Sequence, residues 1–296
     1  MRKHLTTLAL VLLLLVGVGL MHYPTVSDVW NRAQQSYAIA NYDKTVRNTP
    51  TEDYVPLWEA ARAYNAALPP DDTRFTPDDA SHAAYNELLN TGNGIMGYLE
   101  IPSIGVKLSL YHGTDEAVLQ VAAGHIEGSS LPTGGAGTHC VISGHTGLPS
   151  ARLFTDLDQL APGDTFALHV LDATLTYTVD QITTVLPTEL DELAIDPQQD
   201  YCTLVTCTPY GVNSHRLLVR GRRTETPVAA APVLAPAQPE AAAPPPAAPA
   251  FPLWPLILAA VCAALLFAVF AWLRRRARTN PARHKPTRYR RKVVDP

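Results

Sequence analysis

The sequence carries no strong excess of either charge. Its 23 Lys and Arg stand against 27 Asp and Glu, a formal net charge of −4. Such a balance leaves no basic footprint for nucleic acid. No internal repeat is visible, so the chain is not a stack of small units. No group of His, Cys, Asp and Glu has metal-site spacing. The pairs Asp71-Asp72 and Asp78-Asp79 read as solvated loop charges rather than calcium ligands. Neither a metal nor another cofactor is expected. Cysteine is scarce, with four residues in 296.

A cleavage site is also missing. Met1-Arg2-Lys3-His4 precedes an uncharged apolar run from Leu5 to Met21. A cleaved signal peptide would end in a small-x-small motif, and HYPTVSDVW follows instead. Residues 1–22 therefore read as an uncleaved anchor. A second apolar run, LWPLILAAVCAALLFAVFAWL, covers Leu253 to Leu273, and a basic tail at 274–296 follows it. Both runs have about the length of a membrane span. Trp254, Trp272 and the basic flank mark a span whose basic side is cytoplasmic. Arg2 and Lys3 put the N-terminus on that side too. The expectation is a two-span cell-membrane protein with both termini inside and the intervening chain outside.

Residues 224–252 are Ala/Pro-rich and nearly uncharged, a semi-extended linker rather than a core. The folded part is thus 23–223. Its first part, 23–93, reads as helical: Val26 to Val46, Thr51 to Leu68, and Ser81 to Leu89. WEAARAYNAAL has helical spacing and is stopped by Pro69-Pro70. A charged, proline-broken loop at 69–80 follows it. From 94 to 223 the pattern changes. GIMGYLEIP, VKLSLYHG, THCVISGH, TFALHVL, TLTYTVDQITTVLP, YCTLVTC and RLLVRG are short β-rich runs. Helical patches at Asp115–Ala122 and Ala151–Leu160 interrupt them. The class is mainly β with N-terminal helices, a sandwich or a small barrel.

Cys262 lies in the second apolar run, so Cys140, Cys202 and Cys207 carry the chemistry of the outer part. An outside location permits disulfides. Cys202 and Cys207 share one extended run, about 16–17 Å apart and on opposite faces, which rules out a bridge between them. A Cys140–Cys207 bridge stays open. Cys140 and Cys202, flanked by strand residues, read as core thiols. Cys207 differs. It ends one strand, and Arg216 opens the next across a Pro209, Gly211 and Asn213 turn. A guanidinium beside a thiol favours the nucleophilic thiolate and can stabilise an oxyanion. Acyl transfer also needs an acid/base group. Of His82, His112, His125, His139, His145, His169 and His215, His145 stands out in SGHTG, a glycine-bracketed turn after a strand. His215 should face away from Arg216.

TLVTCTPYGVNSHRLLVRG resembles the active-site signature of sortases, the membrane-anchored cysteine transpeptidases of Gram-positive bacteria. GYLEIPSIGVKLSLYHGT and VLQVAAGHIEGSSLPTGGAGTHCVISGHTGLPSARLFTDLDQL resemble class C, the pilus-assembling sortases. The resemblance covers roughly Ala60 to Arg223. It implies an eight-stranded β-barrel with Cys207 as nucleophile, His145 as general acid/base and Arg216 as oxyanion or substrate stabiliser. It also implies cleavage of a Leu-Pro-x-Thr-Gly sorting signal and transfer to a lysine amine of another pilin. Attachment of surface proteins to peptidoglycan, a hydrolase, and a non-catalytic surface module are the alternatives. Thr206 and two lid residues, Asp72 and Phe75, are the further substrate-binding or lid candidates.

Three departures from the family pattern stand out. The family's lid carries Asp-Pro-aromatic where this chain has Asp71-Asp72-Thr73-Arg74-Phe75. Cys140 stands where serine is common, with core filler favoured over an accessory redox role. His145-Thr146-Gly147 replaces His-Arg-Gly. Leu131-Pro132-Thr133-Gly134 looks like a sorting signal but lacks the variable residue and falls inside the folded part. No such signal precedes the second span, so the chain reads as enzyme rather than substrate.

Overall fold

A computed structural model of the chain describes residues 2–92 and 94–224, together with Ala271 and Arg275. The rest of the linker, the second span and the basic tail expected at 224–296 lie outside the described residues. Two compact units divide the chain: Met1–Met21 with Pro252–Pro296, and His22–Phe251.

The first element differs from expectation. The anchor and the helix after it are one helix, α1 (Arg2–Asn48), running through Pro24. Proline removes one backbone donor and crowds the preceding turn. The residues at 20–25 are exposed, so the missing donor disturbs no packing there. One stretch among the described residues, Leu10–Asn48, is long and apolar enough to cross a membrane, with a hydropathy of 1.8. The part of α1 beyond His22 packs on the second unit's strands. Ile39 and Tyr42 are buried with Ile95 and Tyr98, and Tyr42 Oη donates to Met96 O at 3.1 Å.

α2 (Tyr54–Ala67) follows a 3-10 turn at Thr51–Asp53 and buries Tyr54 and Ala61, two turns apart on one face. Near its end Asn65 grips a neighbouring loop. Its Oδ1 accepts from Leu131 N at 2.7 Å and its Nδ2 donates to Leu131 O at 3.1 Å. The internal Leu-Pro-Thr-Gly segment is therefore a fixed part of the fold, with Leu131 fully buried. α3 (Asp79–Tyr85) is capped by Asp78, whose carboxylate accepts from Ser81 N at 2.8 Å.

Eight strands then close a barrel. They are β1 (Ile95–Ile101), β2 (Val106–His112), β3 (Ala123–His125), β4 (Thr138–Ser143), β5 (Thr165–Val170), β6 (Ala173–Val185), β7 (Asp200–Thr208) and β8 (His215–Arg223). Their order is β1-β2-β3-β4-β7-β8-β6-β5. The β2–β3 and β4–β7 pairs are parallel. Seven strands match the seven apolar runs. The eighth, β3, has three residues, two of them Gly124 and His125, too short and too polar for a period to show.

The expected helical patches are corrected. The first shrinks to a single turn, α4 (Glu116–Leu119). The second is turns plus a 3-10 segment, Leu157–Gln159. Leu153 has φ +40°, outside the helical region. The amides of Arg152 and Phe154 donate to Asp28 Oδ1 at 2.9 Å and His145 O at 3.0 Å instead of to a helix.

Strand alternation gives the barrel wall two buried faces. Cys140, Ile142, Cys202, Leu204, Leu217 and Val219 belong to the inner core. Val141, Val185, Val205 and Leu218 form a second cluster with Leu193, from the β6–β7 connection. Burial on both faces explains why these strands read as continuous apolar runs. It also excludes the Cys140–Cys207 bridge. Cys140 is an inner residue, in register with Cys202, whereas alternation puts Cys207 on the outer face with Val205.

Candidate active site

Cys207 is the penultimate residue of β7, and Arg216 is the second of β8. The two are register partners across an antiparallel pair. Partners of this kind share a face, with Cβ atoms about 4.5–5.5 Å apart. The turn between the strands thus does what the sequence implied: it returns the arginine level with the cysteine. Arg216 Nη1 donates to His215 O at 3.1 Å and Asn213 O at 3.3 Å, which aims the side chain along the turn. His215 pairs with Thr208 and lies on the opposite face, as expected.

His145 enters the same cleft from the β4 side. The parallel β4–β7 register ends at Ser143 opposite Val205. His145 lies two residues beyond that end, in the turn that follows β4. Two hydrogen bonds continue the ladder towards it: Gly144 N donates to Val205 O at 3.1 Å, and Thr206 Oγ1 donates to Gly144 O at 2.7 Å. Thr206 is buried and braces the turn that carries His145. Gly144 has no room for a side chain, because a Cβ there would come within 2.7 Å of the Phe154 ring. The His145 carbonyl accepts from Phe154 N, and its Nε2 lies 3.8 Å from Glu116 Oε2.

Cys207, His145, Arg216 and Thr206 all line one cleft of about 270 Å³. Its remaining wall is mostly apolar and includes Val185, Leu190, Leu193 and Leu218. The arrangement offers a thiol, an imidazole and a guanidinium around a groove that fits apolar side chains. No group of three or more His, Cys, Asp or Glu among the described residues is placed to hold a metal.

Comparison with known proteins bears on this geometry. A profile of the sortase domain matches residues 99–224. Sortase C1 from Streptococcus agalactiae is 48% identical, with a TM-score of 0.61, over 64% of this chain and 98% of that one. The chain belongs to the class C sortases. Sortase C from Clostridium perfringens, solved with the C-terminal cell wall sorting motif, is 43% identical, with a TM-score of 0.54, over 64% of this chain and 98% of that one. Sortase D of Bacillus subtilis is 27% identical over 180 residues, 60% of this chain and 85% of that one. The eight-stranded barrel is the sortase fold, and the enzyme is a cysteine transpeptidase.

Four other histidines among the described residues of this sortase are engaged away from the cleft wall. His82 pairs with Glu127, His125 with Tyr85, and His112 with the Leu88 carbonyl. His139 holds the β6–β7 connection. Its Nδ1 donates to Ala194 O at 2.8 Å, and its Nε2 accepts from Thr203 Oγ1 at 2.7 Å. Burial pulls its pKa down from an ordinary 6.5 to about 4. The unfolded chain therefore binds this proton more tightly. The stability tied to the neutral ring is complete above pH 6.5 and is lost as pH falls towards 4. His139→Gln is expected to flatten this acid limb in unfolding midpoints measured across that window. An unchanged slope would assign the limb to other groups.

The lid-like loop is placed differently from expectation in one respect. Asp72 and Phe75 bound a 3-10 turn, Asp72–Phe75, capped by Asp71. Phe75 packs, half-buried, on the outer cluster that includes the cleft residues Val185, Val205, Leu193 and Leu218. Asp72 is exposed, and neither residue lines the cleft itself. The anchored residue is Arg74, which the sequence reading passed over. It is buried, donates from Nη2 to Leu193 O at 2.8 Å, and lies over the Phe75 ring at 4.7 Å. Gly128, at φ +88°, makes room for the loop, since a Cβ there would lie 2.1 Å from Arg74 O. No sequence period marks Arg74, because its partners are backbone atoms remote in the chain.

Proposed function

We propose that this sortase cleaves a Leu-Pro-x-Thr-Gly-like signal between Thr and Gly and joins it to a lysine amine of another pilin subunit. The observation that carries the reading is the cleft: Cys207, its β8 register partner Arg216, and His145 from the turn after β4 all line it. The Cys207 thiolate attacks the Thr carbonyl carbon. Arg216 stabilises the oxyanion, and His145 gives a proton to the departing Gly amine. The resulting thioester is attacked by the lysine amine, whose proton passes to His145, and Cys207 leaves as thiolate. The apolar cleft wall receives the Leu and Pro side chains of the signal. The Clostridium perfringens relative, solved with the C-terminal cell wall sorting motif, supports this substrate class. The loop at 69–80 acts as a lid over the apolar end of the cleft. The enzyme lies in the cell membrane through two spans, with the barrel outside and both termini in the cytoplasm.

The test is the intact mass of the detergent-extracted enzyme after mixing with a Leu-Pro-x-Thr-Gly peptide. The expected product is an acyl adduct on Cys207 that transfers to a lysine-bearing pilin. An adduct lost only to water, with that pilin present, would favour a hydrolase. Transfer to a peptidoglycan amine alone would favour wall attachment. No adduct, even with the loop removed, would overturn the reading.

A further inference from the structure

The proposed reaction uses one of three cysteines in the barrel region. The other two meet inside it. Cys140 on β4 and Cys202 on β7 are register partners in a parallel pair. Alternation turns both inward, and they are 2% and 0% exposed in the main core. Both are free, buried thiols. Adjacent strands run about 4.7–4.9 Å apart, within the about 4.4–6.8 Å between Cα atoms that a disulfide spans. By strand spacing the two Cα atoms fall inside that range, and closing a bridge needs the Cβ atoms drawn in to about 3.5–4.5 Å. Each cysteine also stands five residues ahead of a cleft residue, Cys140 before His145 and Cys202 before Cys207.

We propose that Cys140 and Cys202 form a disulfide across the β4–β7 pair, fastening together the two strands that present His145 and Cys207. The proposal rests on the outward placement of the barrel, where disulfides persist. The oxidant is a dithiol–disulfide oxidoreductase on the outer side of the membrane. One cysteine, as thiolate, attacks the oxidoreductase disulfide and forms a mixed disulfide. The second thiolate then attacks the enzyme's own sulfur in that bond. A sulfur–sulfur bond forms between Cys140 and Cys202. The oxidoreductase leaves as a dithiol carrying both electrons and, on its two sulfurs, both protons. Closure belongs to folding, before the barrel seals. In the finished core both sulfurs are shut away from solvent, which denies an oxidoreductase access to them. The bridge also protects the chemistry. With both inner thiols consumed, neither can capture Cys207 in a wrong pairing.

The experiment uses the full chain in its native membrane, denatured directly into excess maleimide, then reduced and treated with a second, heavier maleimide. Peptide mapping reads the four cysteines. The expected result is the light label on Cys207 and Cys262 and the heavy label on Cys140 and Cys202, with a linked peptide in the unreduced digest. Light label on all four would overturn the bridge, as would a linked peptide containing Cys207. Labelling of intact cells with a membrane-impermeant maleimide reports separately whether Cys207 faces outward. A barrel outside with four free thiols would therefore sink the bridge alone. Reductant is also expected to lower the unfolding midpoint of the parent and leave a Cys140→Ala, Cys202→Ala double variant unmoved. Equal shifts in both would count against the proposal.

Discussion

Cys207→Ala is expected to reduce transpeptidation to background, a loss on the order of 10⁴-fold or more, and to abolish the acyl adduct altogether. No neighbouring group can replace it. The other two cysteines of the barrel face inward and are buried. The groups on either side are expected to matter less. His145→Ala should cost roughly 10²- to 10⁴-fold, because water can still exchange protons slowly. Arg216→Lys should cost about 10²- to 10³-fold, since an ammonium keeps the charge but loses the planar fork that spans turn and oxyanion. The check is kcat/KM on a fluorogenic sorting peptide, with adduct mass alongside. An adduct surviving in Cys207→Ala would remove the nucleophile assignment. Equal, small losses at all three positions would point to binding without catalysis.

Arg74→Ala is expected to release the loop proposed as a lid. The side chain is buried and makes one charged hydrogen bond, to Leu193 O, while its Nε finds no partner. A hydrogen bond from a charged donor contributes about 1.5–3 kcal/mol. Losing it should raise the open population roughly 10- to 100-fold, and labelling of Cys207 by a small maleimide should accelerate by a similar factor. Phe75→Ala should act in the same direction, because the ring leaves the outer cluster that lines the cleft. Asp72→Ala should leave the rate near that of the parent, since the residue is exposed. Unchanged labelling in Arg74→Ala would show that the loop does not gate Cys207. Acceleration in Asp72→Ala alone would restore the carboxylate as the anchor.

The class and the strands were largely legible, because the wall of this barrel is buried on both faces and its strands are written as apolar runs. The cleft residues were legible for a related reason. Cys207, Arg216 and His145 each sit at a strand end beside turn residues, where a polar group has no packing role. What stayed hidden depends on contacts remote in sequence. β3 is held by pairing with β2 and β4 rather than by its composition. The stretch 151–160 looks helical in isolation, but Asp28 and the His145 carbonyl take its amides. Asp72 carried the charge and proximity to an aromatic that a lid anchor needs. The fold instead buries Arg74, whose long chain reaches a carbonyl in the β6–β7 connection.

The two-faced wall also divides what substitution can do. Inward positions such as Ile142, Leu204 and Val219 hold the barrel shut, and a change there is felt by the whole fold. Outward positions such as Val185, Leu193 and Leu218 border the cleft. Appetite for a different signal peptide can therefore be rewritten from the outside, strand by strand, while the same strands keep their inner residues. One sheet serves as frame and as palette, and a library confined to the outer set would explore new substrates without rebuilding the barrel.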